Sequence, residues 1–165
     1  MPDISDNHYR GAMRFLENKI PPPVVAILCA LAMWWVSARV PGLSLGDTAR
    51  IVPAVVLAAG GLGFILVSTL ALRRSRTTVN PLKPETASAL VTSGIYQISR
   101  NPIYVGFALI LVGWAAYLAS PLALIGVVVF VLFINRFQIA PEERAMVKLF
   151  GAEFGNYRAK VRRWL

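Results

Sequence analysis

The sequence predicts an all-α membrane protein of about four transmembrane helices, the last two forming a helical hairpin that leads into an amphipathic cytoplasmic helix. Three observations predict it. Hydrophobic residues make up 56% of the chain and charged residues 15%, with a mean hydropathy of +0.60, which is too oily for a soluble domain of this length. The apolar residues gather into four runs, near residues 22 to 38, 51 to 72, 103 to 119 and 121 to 137. A helix rising about 1.5 Å per residue needs roughly 20 residues to cross about 30 Å of hydrocarbon, and each run reaches at least the lower end of that range once its flanks are counted. The basic residues are distributed unevenly around these runs. All but Arg39 and Arg50 lie before the first run, between the second and third, or at and beyond the end of the fourth.

Residues 1–21 read as an N-terminal interfacial arm. No short cleavable apolar region is present, and residues 9 to 20 pattern as an interfacial helix before the Pro21-Pro22-Pro23 break, so the chain is expected to keep this end. Residues 22–76 hold the first two spans. Cys29, the single cysteine, lies in the first and reads as a small buried apolar residue. With one Cys and one His (His8), no metal constellation is expected. Gly60-Gly61-Leu62-Gly63 in the second span sits among Ala and Leu rather than at a strand-to-helix turn, so close helix packing is its expected role. No Asp or Glu falls inside any run, which disfavours ion-coupled transport.

Residues 77–165 carry the chemistry. Asn101 is a preferred N-cap and Pro102 a preferred first helical residue, so the third span should begin there, with its free N–H groups and positive dipole end at the interface. Such an end can hold an anion, for example a ligand carboxylate. Tyr104 follows Asn101 by three and Arg100 by four and shares their face, while Gly106 allows a second backbone or a ligand to approach closely. Glu142 and Glu143 are the only paired carboxylates, placed after Pro141 where the chain leaves the fourth run. They either complement the dipole of a new helix or face a ligand. In the helix that follows, Met146, Leu149, Phe150, Phe154, Tyr157, Val161 and Trp164 recur by three and four. That helix should lie on the membrane surface or cover the mouth of the bundle. A tight Ala119-Ser120-Pro121 turn returns the hairpin to one side, so the cap, Tyr104 and the carboxylates can converge, an arrangement suited to a cationic, carboxylate-bearing ligand.

Basic residues near span ends stay on the cytoplasmic side, which puts both termini and the long middle loop in the cytoplasm. The net charge of +9 then answers to membrane orientation and anionic headgroups, and a nucleic-acid partner is not expected.

Leu90-Val91-Thr92-Ser93-Gly94-Ile95-Tyr96, Arg100-Asn101-Pro102-Ile103-Tyr104-Val105-Gly106, Gly113-Trp114-Ala115, Glu142-Glu143, Phe150-Gly151, and Tyr157 with Val161-Arg162-Arg163-Trp164-Leu165 follow one another around the hairpin. In that order and spacing, residues 77 to 165 resemble the membrane methyltransferases that include isoprenylcysteine carboxyl methyltransferase and phosphatidylethanolamine N-methyltransferase. The resemblance implies S-adenosylmethionine as cofactor on the cytoplasmic side and a lipophilic acceptor arriving from the bilayer. That acceptor is an isoprenylcysteine-like carboxylate, a thiol or a related small lipid, or alternatively a phospholipid amine. Carried over by position, the cofactor contacts fall on Ser88, Ala89, Leu90, Val91, Tyr96, Asn101, Pro102, Ile103, Tyr104 and Glu142, with Glu143 completing the paired motif. Position 101 is usually His in the carboxyl methyltransferases, and Asn101 looks more like the phospholipid enzymes. An Arg that meets the acceptor four residues before the first Glu is here Gln138, with Arg136 as the nearby substitute.

A sulfonium methyl is already activated, so transfer asks mainly for positioning and exclusion of water, and no catalytic triad is expected. An ammonium acceptor must first lose a proton, for which Tyr104 or a Glu is available; no catalytic base is assigned. The reading of another class is a non-catalytic membrane scaffold that keeps the fold and binds no cofactor.

Overall fold

The computed structural model describes residues 17–77, 80 and 82–165. Among them run five α-helices: α1 Pro22–Ser37, α2 Asp47–Arg74, α3 Pro102–Leu118, α4 Leu124–Ile134 and α5 Ala140–Lys160. Short 3-10 turns cover Pro84–Thr86, Gly94–Gln97 and Pro121–Ala123, a π turn covers Asn135–Ile139, and no strand occurs among the described residues. The expected interfacial helix over residues 9 to 20 falls mostly outside the described residues, as does His8.

The 28-residue α2 and the continuous helical run Pro121–Lys160 are long and apolar enough to cross a membrane, while α1 and α3 are apolar helices of 16 and 17 residues. Their outward faces stay uncovered: Ile27, Leu31, Val56, Leu66, Val128 and Leu132 are each between 56% and 62% exposed. A soluble monomer rarely shows such a contiguous apolar surface, so this one fits a lipid environment.

Lipid gives helices no hydrophobic reason to associate, so close packing must come from small residues. Gly61 of α2 meets Gly106 of α3. A Cβ added to Gly61 would lie 2.5 Å from the Gly106 carbonyl oxygen, and one added to Gly106 would lie 2.6 Å from that of Gly61. Further along the same seam, a Cβ on Gly113 would come within 2.9 Å of the Ala54 carbonyl oxygen. The packing role expected of the Gly60–Gly63 cluster thus belongs to Gly61; a Cβ on Gly60 or Gly63 would meet nothing within 4 Å. On the other side, α1 packs against α3 and α4. Trp114 donates its indole N–H to the Ala30 carbonyl at 3.0 Å, over a core of Met33, Leu111, Phe130, Ile134 and Ile139, with Cys29 buried among them.

The fourth apolar run does not stop where the sequence suggested. Instead of a new helix starting at Pro141, the chain passes from α4 through the π turn into α5 without a break. Pro141 has no N–H, which leaves the Phe137 carbonyl without its helical donor and accounts for the widened turn. The Asn18 N–H supplies the missing bond at 3.0 Å. The expected amphipathic helix is itself kinked at Gly151, whose φ of 49° and ψ of −119° lie outside the helical region and suit only a residue without Cβ.

Candidate functional site

The site forms where the loop after α2, the start of α3 and the first half of α5 meet. Asn101 occupies the N-cap position of α3 and Pro102 is its first residue, as the sequence suggested, but the Asn101 side chain makes no cap bond. Its Nδ2 donates instead to the Arg163 carbonyl at 2.9 Å. The Arg100 N–H donates to the Arg162 carbonyl at 3.0 Å, and the Ser99 hydroxyl bonds the Arg163 carbonyl at 3.3 Å. Residues 161–165 therefore fold back as a strap across the entrance to α3, and Trp164 pins its end by donating to Asn135 Oδ1 at 3.1 Å.

A cavity lies where these elements meet, bordered by the Arg100, Asn101 and Glu143 to which the strap is bonded. Ten of the eleven residues expected from the resemblance to hold the cofactor line it: Ala89, Leu90 and Val91 from the loop, Tyr96 from the 3-10 turn, Asn101, Pro102, Ile103 and Tyr104 from the start of α3, and Glu142 and Glu143 from α5. Ser88 does not. It is exposed, and its hydroxyl donates to the Arg76 carbonyl at 2.8 Å. Its backbone contributes indirectly, since the Ser88 and Ala89 N–H groups both donate to Thr77 Oγ1, at 3.1 and 3.3 Å, and so set the course of the loop. Leu72 from the last turn of α2 and Met146, Phe154 and Tyr157 from α5 add to the apolar walls, and Thr77 joins the lining just after α2. α5 thus supplies one wall of the cavity.

Glu142 is the chemical centre of the cavity. Its Oε1 accepts the Tyr104 hydroxyl at 2.5 Å and the Gln138 amide at 3.1 Å, so the two polar junctions of the hairpin do converge. Burial pushes the Glu142 carboxyl from its ordinary 4.5 up to about 7, with the Tyr104 and Gln138 hydrogen bonds pulling the other way and the Glu143 charge adding to the rise. Such a value belongs more often to a working group than to a surface acid.

Glu143, one residue on, has a different environment. It accepts from Arg163 Nη2 at 2.6 Å and Nε at 3.2 Å, and Arg100 Nη2 lies 3.2 Å away. It clamps the strap to the head of α3 while forming part of the cavity wall. Gln138 is fully enclosed at 1% exposure in the π turn, where it bonds Glu142 and, at 3.2 Å, Asn18 Oδ1. It does not line the cavity. Arg136 pairs with Glu17 at 2.8 Å, on a carboxylate that also takes Arg144. Neither residue expected to meet the acceptor reaches the cavity.

Tyr157 was legible as a member of the apolar stripe and of the family pattern, but neither gave it a partner; its hydroxyl donates to the Tyr96 carbonyl at 2.6 Å within the buried wall. Burial pushes the Tyr157 phenol up to about 12, with Arg100 acting against the rise, and pushes Tyr96 upward as well, so both remain protonated donors at neutral pH. Tyr157→Phe removes the donor from that carbonyl and is expected to destabilise the protein by about 1–2 kcal/mol. A downward shift in the thermal unfolding midpoint in detergent checks this.

The phospholipid methyltransferase family profile matches residues 49–153, a span that runs from the first turn of α2 into the second half of α5. A protein of Haemophilus influenzae described as uncharacterized is 48% identical over 63 residues, 38% of this chain and 100% of that one. Protein-S-isoprenylcysteine O-methyltransferase B of Arabidopsis thaliana is 36% identical over 104 residues, 61% of this chain and 52% of that protein. The Saccharomyces cerevisiae protein-S-isoprenylcysteine O-methyltransferase is 37% identical over 82 residues, 48% of this chain and 33% of that protein. The chain thus spans about half, or less, of the length of these two named relatives. No solved structure gives a significant match. With the profile covering most of the chain, and its matched span containing the loop, the head of α3 and both glutamates, the chain belongs to the phospholipid methyltransferase family of enzymes.

Proposed function

We propose that this protein is an integral membrane methyltransferase that uses S-adenosylmethionine to methylate a lipophilic acceptor. The observation that carries the reading is Glu142: a carboxyl held by Tyr104 and Gln138 at the wall of an otherwise largely apolar cavity. When bound, S-adenosylmethionine supplies a methyl group already activated on a sulfonium sulfur. The protein's part is to bind, orient and keep water away. The ionised Glu142 places negative charge beside a cationic ligand, Ala89 to Val91 and Ile103 offer apolar walls to an adenosyl group, and α5 closes one side of the pocket. In the membrane we place α1, α2, α3 and the run from Pro121 to about residue 137 as four spans, with both termini cytoplasmic and residues 77–165 as the methyltransferase core. Leu72 of α2 also lines the cavity, so the first half of the chain contributes to that core.

Gln138 favours a second reading of the acceptor. Its amide is directed to Glu142 and Asn18 and Arg136 is paired with Glu17, so neither is placed to meet an acceptor carboxylate. An amine-bearing lipid, as in phospholipid N-methylation, needs no such cation, and the Glu142 carboxylate, which accepts the Tyr104 hydroxyl, is the group available to take its proton.

Incubating the protein in liposomes with methyl-labelled S-adenosylmethionine and a panel of a prenylcysteine, a lipophilic thiol and phosphatidylethanolamine tests both. Label in one lipid fraction, absent without protein, is the expected result. Transfer to none of them, with no cofactor binding, would leave the non-catalytic scaffold as the reading.

A further inference from the structure

Glu17 and Asn18 stand more than a hundred positions before the π turn and outside the span matched by the family profile, yet they hold that turn in place. The Glu17 carboxylate takes Arg136 and Arg144, one before and one after Pro141. Asn18 sits at a φ of 54°, a left-handed conformation that asparagine tolerates better than most residues, and bonds two consecutive residues. Its N–H donates to the Phe137 carbonyl at 3.0 Å, and its Oδ1 accepts from Gln138 Nε2 at 3.2 Å. The same nitrogen donates to Glu142 Oε1 at 3.1 Å. A buried amide has a donor at one end and an acceptor at the other. Glu142 alone does not fix which end faces it, because a protonated carboxyl donates to an amide oxygen as readily as an ionised one accepts from the nitrogen. Asn18 breaks that tie, since turning the Gln138 amide round would forfeit its bond to the arm.

We propose that Asn18 is a positioning residue of the donor site: it fixes the Gln138 amide with its N–H toward Glu142, and so keeps that carboxyl charged for a cationic ligand. This rests on the donor assignment made above. Burial raises the Glu142 carboxyl, and the Tyr104 and Gln138 bonds pull it back down. The other groups around it are Tyr96 on the 3-10 turn and the adjacent Glu143, with Arg100 and Tyr157 in the same cavity wall. An exchange at Asn18 leaves all of these in place and reaches Glu142 through Gln138.

The test is Asn18→Gly in the full-length protein in detergent, with S-adenosylmethionine binding followed by calorimetry from pH 6 to pH 8.5. Glycine adopts the same backbone conformation and keeps the N–H to Phe137, so only the side-chain acceptor is lost. Native affinity should rise through a midpoint of about 7, where Glu142 titrates. In the variant the midpoint should move up by about half a unit to one unit, the range of one hydrogen bond, making binding about twofold to fivefold weaker at pH 7 and near native at pH 8.5. Adding Asn18→Gly to Gln138→Met should move the midpoint no further than Gln138→Met alone, because the effect runs through Gln138. Equal weakening at every pH, or an additive shift in the double variant, would assign Asn18 a purely structural role and overturn the proposal, as would an unmoved midpoint. If Asn18→Gly does not fold, Asn18→Ser, whose hydroxyl ends one bond short of the amide oxygen, decides on the same readout: a raised midpoint supports the proposal and an unmoved one overturns it. A native protein that binds no S-adenosylmethionine would instead overturn the donor assignment, and one that binds it without pH dependence the role of Glu142; the Asn18 proposal falls with either.

Discussion

Replacing Glu142 by glutamine is expected to weaken S-adenosylmethionine binding by about tenfold to a hundredfold while leaving the helices folded. Glutamine keeps an oxygen for the Tyr104 hydroxyl and the Gln138 amide and nearly the same volume, so the variant removes charge and little else. Because the Glu142 carboxyl titrates at about 7, the native protein loses its advantage as pH falls through that value. Below it the native side chain is itself neutral and the two proteins converge; above it the gap is full. Unliganded stability should move the opposite way. The folded protein retains a proton between the ordinary 4.5 and about 7 that the unfolded chain has already lost, so this group's contribution is most favourable below 4.5 and is lost as pH rises to about 7. Glu142→Gln should be flat across that window. Denaturation midpoints of the two proteins between pH 4.5 and 8 read the difference; parallel curves would show that Glu142 is not buried as described.

Gly106→Leu and Gly61→Ala are expected to cost about 3 kcal/mol or more each. The clash in both cases is with backbone, the carbonyl oxygen of the facing glycine at 2.6 and 2.5 Å, and backbone cannot rotate away as a side chain can. To accept even one methyl group α2 and α3 must move apart. Tyr104 lies two residues before Gly106, so the displacement is carried into its bond with Glu142, and cofactor affinity should fall along with stability. Gly60→Ala and Gly63→Ala are the internal controls. Both positions are in α2 and face open space, so exchanging glycine for a better helix former should be neutral or stabilise by up to about 1 kcal/mol. Unfolding midpoints of the four variants in one detergent separate the two classes. Equal effects at all four positions would contradict the packing described for the seam.

The two halves of the hairpin were legible because each carries a short-range signal. Asn101-Pro102 marks a helix start by backbone chemistry, and the adjacent glutamates stand out in a chain with few acids. Their meeting followed from the tight Ala119-Ser120-Pro121 turn, which leaves little freedom in where the two arms return. Other features depend on partners far away in sequence. Asn101 looked like a side-chain cap, yet the Arg163 carbonyl, 62 positions on, competes for it. The continuity of α4 with α5 through Pro141 was hidden because a proline within a helix is ordinarily a break, and the compensating donor, Asn18, lies more than a hundred residues earlier. Tyr157 gave no sign of its bond to Tyr96 because an amphipathic stripe does not reveal where a hydroxyl points. Gln138 and Arg136 were assigned to the acceptor by position alone; Gln138 is enclosed in the π turn behind Glu142 and Arg136 pairs with Glu17, and neither forms part of the cavity wall.

The most direct test of the account is a calorimetric titration of S-adenosylmethionine into the native protein at pH 6 and pH 8. The account predicts saturable binding, in the micromolar to millimolar range common for enzyme substrates, and about fivefold to tenfold tighter at pH 8, as a carboxyl titrating near 7 requires. No binding at either pH, or binding of equal strength at both and unchanged in Glu142→Gln, would contradict it.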